Sequence, residues 1–264
     1  MSRLVAHIDG IGLIGPGLPD WPAARAVLRG EAPHVDCLVA LPAPAALPPA
    51  ERRRTGQIVR LSLAVGLEAV AASALDVAKL ATVFSSSGAD GENCHAICEA
   101  LASADRQISP TRFHNSVHNA ASGYWGIATG AMAPSTSICT FDATFGAALL
   151  EAASQVASLD QPVLLVACDT PYPEPLHSVR PLPSCFGVAL LLAPQPSAQT
   201  LARIEAAFGR NEATTMSGST LETLRRSIPA ARSLPLLAAV ARGATTSVTL
   251  DYLDELQLIA DLSP

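Results

Sequence analysis

Apolar positions along the chain follow two rhythms, short continuous runs and stripes at helical spacing, and together they lay out its elements. The first run, Leu4-Val5-Ala6-His7-Ile8-Asp9, predicts a strand. A helix follows over Trp21–Arg29. Asp20 supplies the acceptor for its free N–H groups, and Gly30 closes it in a left-handed turn. Beyond a proline-rich connection, Pro42 to Pro49, apolar residues recur at Ile58, Leu61, Ala64, Val65, Leu67 and Val70, one face of a second long helix. The run Leu80 to Phe84 is a buried strand, and a helix is expected from about Asp90 to Ala102. Helical spacing returns around Val117 to Thr129. It is followed by a short strand at Ser135 to Cys139 and a long apolar helix from about Ala143 to Val156. The segment 162–169 is a fully apolar strand, and 185–193 and 201–208 read as a pair of neighbouring strands. Helices near Leu221 to Ser227 and Leu234 to Arg242 precede closing strands at 246–252 and 256–262.

Strands alternating with helices predict an α/β layered fold. With no internal repeat and no low-complexity linker, residues 1–264 are taken as one domain. Residues 200–264 either complete its sheet or form a lobe of their own.

Composition narrows the possible partners. Apolar residues reach 49% while charged ones are only 15%, a balance suited to a chain that hides surface against another subunit. The net charge of −6 argues against nucleic acid or an anionic membrane. No apolar run approaches the roughly 18 residues of a membrane span, and the N-terminus lacks a basic-then-apolar leader pattern, so the expected location is the cytoplasm. Cys37, Cys94, Cys98, Cys139, Cys168 and Cys185 offer one close pair, Cys94 and Cys98, with no second cluster to complete a metal site. All six are expected to be small buried hydrophobes, with no metal and no cofactor. The run Arg52-Arg53-Arg54 is expected to be a solvated face.

The stretch after the first strand carries a competing signal. Gly10, Gly12 and Gly15 spell the fingerprint of a dinucleotide-binding turn, and Asp36 sits where a ribose-binding acid is expected, about 20 residues further on. That turn works only when a helix starts at the glycines and presents its N–H groups to a pyrophosphate. Pro16 and Pro19 fall where its first turns should be, and Asp36 belongs to the proline-rich connection. A dinucleotide enzyme is therefore the weakest reading.

A different resemblance emerges further along. Ile108-Ser109-Pro110, then Asn119, Ser122-Gly123, Gly130-Ala131-Met132-Ala133-Pro134 and Ser137-Ile138-Cys139-Thr140-Phe141-Asp142 follow one another in an ungapped register. Between Ile108 and Ala152 this resembles the N-terminal half of a β-ketoacyl synthase of the thiolase fold. The opening is similar to the same family: a strand, Gly10-Ile11-Gly12-Leu13-Ile14-Gly15-Pro16, then a helix bearing Trp21 and ending in Gly30, so the glycines are expected to serve a tight turn. Ser85-Ser86-Ser87-Gly88 and Leu164-Leu165-Val166-Ala167-Cys168-Asp169 are similar to further landmarks. The likeness covers about residues 1–195, and it implies a mixed sheet covered by helices.

The departures from that family decide the expected function. The family's nucleophilic cysteine sits at a strand-to-helix turn where the helix dipole lowers its pKa; the matching residue here is Asp142, a poor acyl acceptor. Cys139, three residues earlier, is on the strand. A condensing synthase also uses a histidine pair from its C-terminal half. Here the histidines are His7, His34, His95, His114, His118 and His177, and the chain ends at Pro264, so the decarboxylation apparatus is expected to be missing. The resemblance then implies a chain-length factor of the short type found in aryl-polyene and related polyketide or fatty-acid pathways. Such a protein forms a heterodimer with a catalytic β-ketoacyl synthase and meets the acyl carrier protein only indirectly. Arg112, Phe113, His114 and His118, with Tyr124 and Trp125, are the candidates for tunnel or interface roles. Two alternatives remain: an acyl-thioester enzyme in which Asp142 and His118 or His114 act as an acid–base pair, and a self-associating scaffold without a tunnel.

Overall fold

The computed structural model describes residues 3–264. The first half of the chain runs β1 (Leu4–Ile14), α1 (Trp21–Arg29), α2 (Pro49–Arg52), α3 (Gln57–Val70), β2 (Ala81–Ser85), α4 (Gly91–Ala102), α5 (Pro110–Asn115) and α6 (Ala120–Thr129). The central part is β3 (Ser135–Ile138), α7 (Thr144–Leu159), β4 (Val163–Asp169), α8 (Leu176–Val179) and β5 (Phe186–Ala193). It ends with β6 (Ala202–Gly209), α9 (Ser219–Ser227), α10 (Leu234–Arg242), β7 (Thr246–Leu250) and β8 (Gln257–Ser263). All eight strands form one sheet in the order β3-β2-β4-β5-β1-β6-β8-β7, parallel across β3, β2 and β4 and antiparallel elsewhere. The last two strands therefore complete this sheet and do not build a separate lobe.

Local signals set the helix ends as expected. Asp20 accepts from the Ala23 N–H at the start of α1, and Gly30 closes that helix with φ 79°. Asp90 caps α4 by accepting from Asn93 N–H. Helix α5, capped by Ser109, carries too few residues to show a periodicity.

Two expectations are corrected. Strands β5 and β6 are not neighbours: β1 lies between them, with His7 opposite Ala193 of β5 and Ile8 opposite Ala202 of β6. The glycines at 10 and 12 are not in a turn either, because β1 continues through them to Ile14, with a register shift against β5 between Ile8 and Gly10. Their role is close approach. A Cβ built on Gly10 would stand 1.9 Å from the Ala69 carbonyl oxygen, and one on Gly12 would stand 1.9 Å from that of Val65. Helix α3 thus rests directly on the backbone of β1. The tight turn comes later, where Gly15 and Leu18 exchange two backbone hydrogen bonds. No helix starts at the glycines, which removes the dinucleotide reading. Asp36, its supposed ribose acid, sits in a stretch without regular structure.

The core has two layers. On one face of the sheet, α1, α7, α9 and α10 bury residues such as Leu28, Phe145, Leu149, Leu224 and Leu237. On the other, α3 and α6 bury Leu61, Val65, Tyr124 and Trp125, with Leu47 from the proline-rich connection. Arg52 ties that connection down through the carbonyls of Leu47 (2.6 Å) and Ala45 (2.7 Å), while Arg54 pairs with Glu51. The cysteines do not all join the core: Cys168 and Cys185 are buried, but Cys37, Cys94, Cys98 and Cys139 are exposed. Apolar neighbours in sequence placed them on half-covered elements, and helix α4 buries only Asn93.

The close approach at β1 sets an expected outcome. Gly12→Ala forces a backbone carbonyl to move and should lower stability by about 1–3 kcal/mol. Gly123→Ala, where nothing lies within 4 Å of the added Cβ, should hold or slightly raise it. Paired urea titrations check the contrast, and equal effects would contradict the packing described.

Candidate functional site

The C-terminal ends of β2, β3 and β4 converge beside the start of α7, and three short segments meet there. The first is the serine loop after β2. Ser87 donates from both its N–H (2.8 Å) and its hydroxyl (2.7 Å) to one oxygen of Asp169 at the end of β4, while Ala230 N–H donates to the other (2.7 Å). Asp169 is fully enclosed. Burial pushes its pKa up, and the donors from Ser87 and Ala230 pull against that shift. The ring of Tyr172 fills the space over Gly88 and Gly91, so a Cβ at Gly88 would meet the Tyr172 hydroxyl at 1.9 Å.

The second segment is the turn from β3 into α7. Cys139 is exposed, and its thiol donates to the Ser87 carbonyl (3.3 Å). Phe141, Asp142 and Ala143 form a 3-10 turn that runs into α7. Asp142 does not cap the helix, for α7 has no side-chain cap. Its two oxygens are held instead by Arg180 (2.8 Å) and Arg232 (3.1 Å). The third segment is the 3-10 turn Pro229–Ser233, which supplies both Arg232 and the Ala230 N–H. Two guanidinium groups on one carboxylate leave a net positive charge at this point. A carboxylate so held is a weak nucleophile.

No acid–base pair is assembled around Asp142. His118 Nε2–H donates to the Ser86 carbonyl (3.2 Å), and His114 is exposed on α5. Asp142 meets arginines and neither histidine. Of the other candidates, Arg112 and Phe113 are exposed on α5. Tyr124 and Trp125 are buried beneath that surface: Tyr124 donates to Asn115 Oδ1 (3.1 Å), and Trp125 packs against Phe84 with ring centroids 6.1 Å apart. Those two aromatic residues are core.

Sequence reasoning missed Phe141, Arg180 and Arg232. Arg180 follows a stretch with no periodic pattern, and nothing in its surroundings marks a partner 38 positions away. Of the exposed large apolar side chains, Phe113, Val117, Ile127, Met132 and Phe141 fall in the stretch of chain that brackets β3, while others, Leu38 and Val179 among them, lie elsewhere. That strand is the edge of the sheet, paired on one side only, with β2.

Comparison with known proteins agrees with this architecture. The family model described as "Beta-ketoacyl synthase, N-terminal domain" matches residues 21–252. A chain of the structure of the ketosynthase ApeO in complex with its chain length factor ApeC, from Xenorhabdus doucetiae, is 23% identical with a TM-score of 0.73. The match covers 98% of this chain and 99% of that one. The ishigamide ketosynthase/chain length factor gives 15% identity and a TM-score of 0.72, again covering 98% and 99%. A β-ketoacyl synthase from Burkholderia phymatum gives 14% identity and a TM-score of 0.59, with 92% of this chain matching 71% of that one. At these identities the structural likenesses speak for the fold. No curated protein matches the chain.

Two outcomes follow from the site. Asp142 has 40% of its side-chain surface exposed, so its ion pairs are partly screened, and Asp142→Ala should cost about 0.5–1 kcal/mol. The loss should shrink in about 1 M salt, whereas a capping hydrogen bond would be lost equally at both salt levels. Incubation of the purified chain with a labelled acyl-carrier thioester should leave its intact mass unchanged. A stable acyl adduct on Cys139 would overturn the view that this turn accepts no acyl group.

Proposed function

The chain belongs to the family of β-ketoacyl synthase N-terminal domains, and from that premise we propose that it is a chain length factor. In this role it pairs with a catalytic β-ketoacyl synthase and shapes the acyl tunnel in polyene or fatty-acid-type biosynthesis. One observation carries the reading: the residue matching the family's nucleophile is Asp142, clamped by Arg180 and Arg232 beside an uncovered sheet edge.

The edge itself supports a partner. Strand β3 is Ser135-Thr136-Ser137-Ile138, with no charged residue and no proline along it. Proteins that keep an edge in water blunt it with lysine, proline or a bulge, because open N–H and C=O groups recruit further strands. Pro134 stands directly before β3, and the chain leaves Met132 95% and, on α5, Phe113 68% exposed. A synthase subunit covering β3 and the nearby surface of α5 and α6 removes this apolar area from water. The chain also spans nearly the whole of the matched chains from the two ketosynthase/chain length factor structures, against 71% of the Burkholderia synthase.

Arg112, Phe113, His114 and His118 are the residues assigned to this interface and to the tunnel's end. With a net charge of −6, the chain repels an acidic acyl carrier protein, so the carrier docks on the synthase side. All six cysteines are free, which fits a reducing compartment, and a cytoplasmic location accompanies the proposal. No helix among the described residues is long and apolar enough to cross a membrane.

Co-expression with the catalytic synthase of the same organism should yield a 1:1 complex burying more than about 2,000 Å². Alone, the chain should self-associate or be poorly soluble. Replacing Phe113 by Ala or Trp should shift the length of the product while the complex still assembles, as read by product mass and gel filtration. A well-behaved monomer that gains no partner on co-expression overturns the proposal.

A further inference from the structure

Phe141 occupies a conformation that its residue type avoids. Its φ is +53°, in the left-handed region that glycine favours and bulky side chains rarely enter. The residue is 61% exposed all the same, so the backbone strain is not repaid by burial within this chain.

The surroundings hold the strained turn in place. The hydroxyl of buried Thr144 accepts from Thr140 N–H (3.2 Å) and donates to the Phe141 carbonyl (2.5 Å), bridging both sides of the residue. The guanidinium of Arg180 stacks 3.6 Å from the centre of the Phe141 ring. Arg180 is itself pinned by Asp142, whose second oxygen is taken by Arg232. Threonine, arginine and carboxylate together orient one aromatic ring and leave its other face to solvent. Strain that surrounding contacts over-determine in this way is typical of functional positions.

The ring also stands at a particular place. Phe141 lies three residues beyond Ile138, the end of the open edge strand β3. Ser135, Thr136 and Ser137 offer a partner little apolar side chain, so an anchor is needed beyond the strand's end. We propose that Phe141 is an anchor of the subunit interface: its free face seats in an apolar socket on the catalytic synthase. Arg180 forms the other wall of the seat. This rests on the chain-length-factor reading, which supplies the partner.

The test compares affinity with fold stability. Wild-type chain, Phe141→Gly, Phe141→Ala and a distant control, Leu253→Ala, are titrated against the purified catalytic synthase of the same organism, and each isolated chain is melted. Both Phe141 variants should bind at least about tenfold more weakly, as expected on truncating a central aromatic anchor, and the control should bind as wild type does. Isolated Phe141→Gly should melt within about 2 °C of wild type or higher, because glycine relieves the left-handed backbone. A Phe141→Gly affinity within about twofold of wild type overturns the anchor while leaving the pairing intact. Wild-type chain that binds no synthase overturns the chain-length-factor reading, and the anchor with it.

Discussion

The buried carboxylate of Asp169 is the point on which the site hangs. A carboxyl group removed from water is costly unless its oxygens find donors, and here Ser87 and Ala230 together provide three. Those bonds join the end of β4 to the loop after β2 and to the 3-10 turn Pro229–Ser233. The loop in turn receives the Cys139 thiol, and the turn carries Arg232 to Asp142. The Arg232 side of the Asp142 clamp is thus placed by one carboxylate that never touches it. Removing a single donor leaves one carboxyl oxygen short of a partner in a dry interior, at a cost of about 1–3 kcal/mol.

A second constraint works from the opposite face. Gly10 and Gly12 let α3 sit on the backbone of β1, and Glu68 on that helix accepts from the N–H groups of Leu13 and Trp21. One side chain thereby fixes the end of β1 and the start of α1, on either side of the Gly15–Leu18 turn. With α3 so close, α6 packs beside it through Trp125 against Gly66, and the surface outside α6 is the one left uncovered.

What could be read from the sequence was largely local. Asp20, Gly30 and Asp90 mark helix ends because each bonds within a few residues of itself, and the apolar runs that became β4 and β5 are buried throughout. Strand order was hidden, since nothing in β5 or β6 records that β1 will separate them. The glycines were ambiguous for a physical reason: a missing side chain serves a turn and a close helix contact equally well. The position of Asp142 was legible through its neighbours in the family pattern. Its arginine partners were not, because they come from irregular segments and their pairing exists only in three dimensions. The same holds for Tyr124 and Trp125, whose exposure depends on which side of α6 meets α3.

The central place of β1 has a consequence for how the protein is made. The strand comes well before its partners β5 and β6 in the chain, with His7 paired to Ala193 and to Arg203. At roughly 5–20 residues per second, synthesis takes about 10–40 s to reach them. During that interval the longest strand of the sheet has no strand beside it, and α3 can shelter one face only. Until β5 and β6 follow, the chain holds open N–H and C=O groups along both edges of β1, a template for pairing with other chains that the finished sheet no longer offers there.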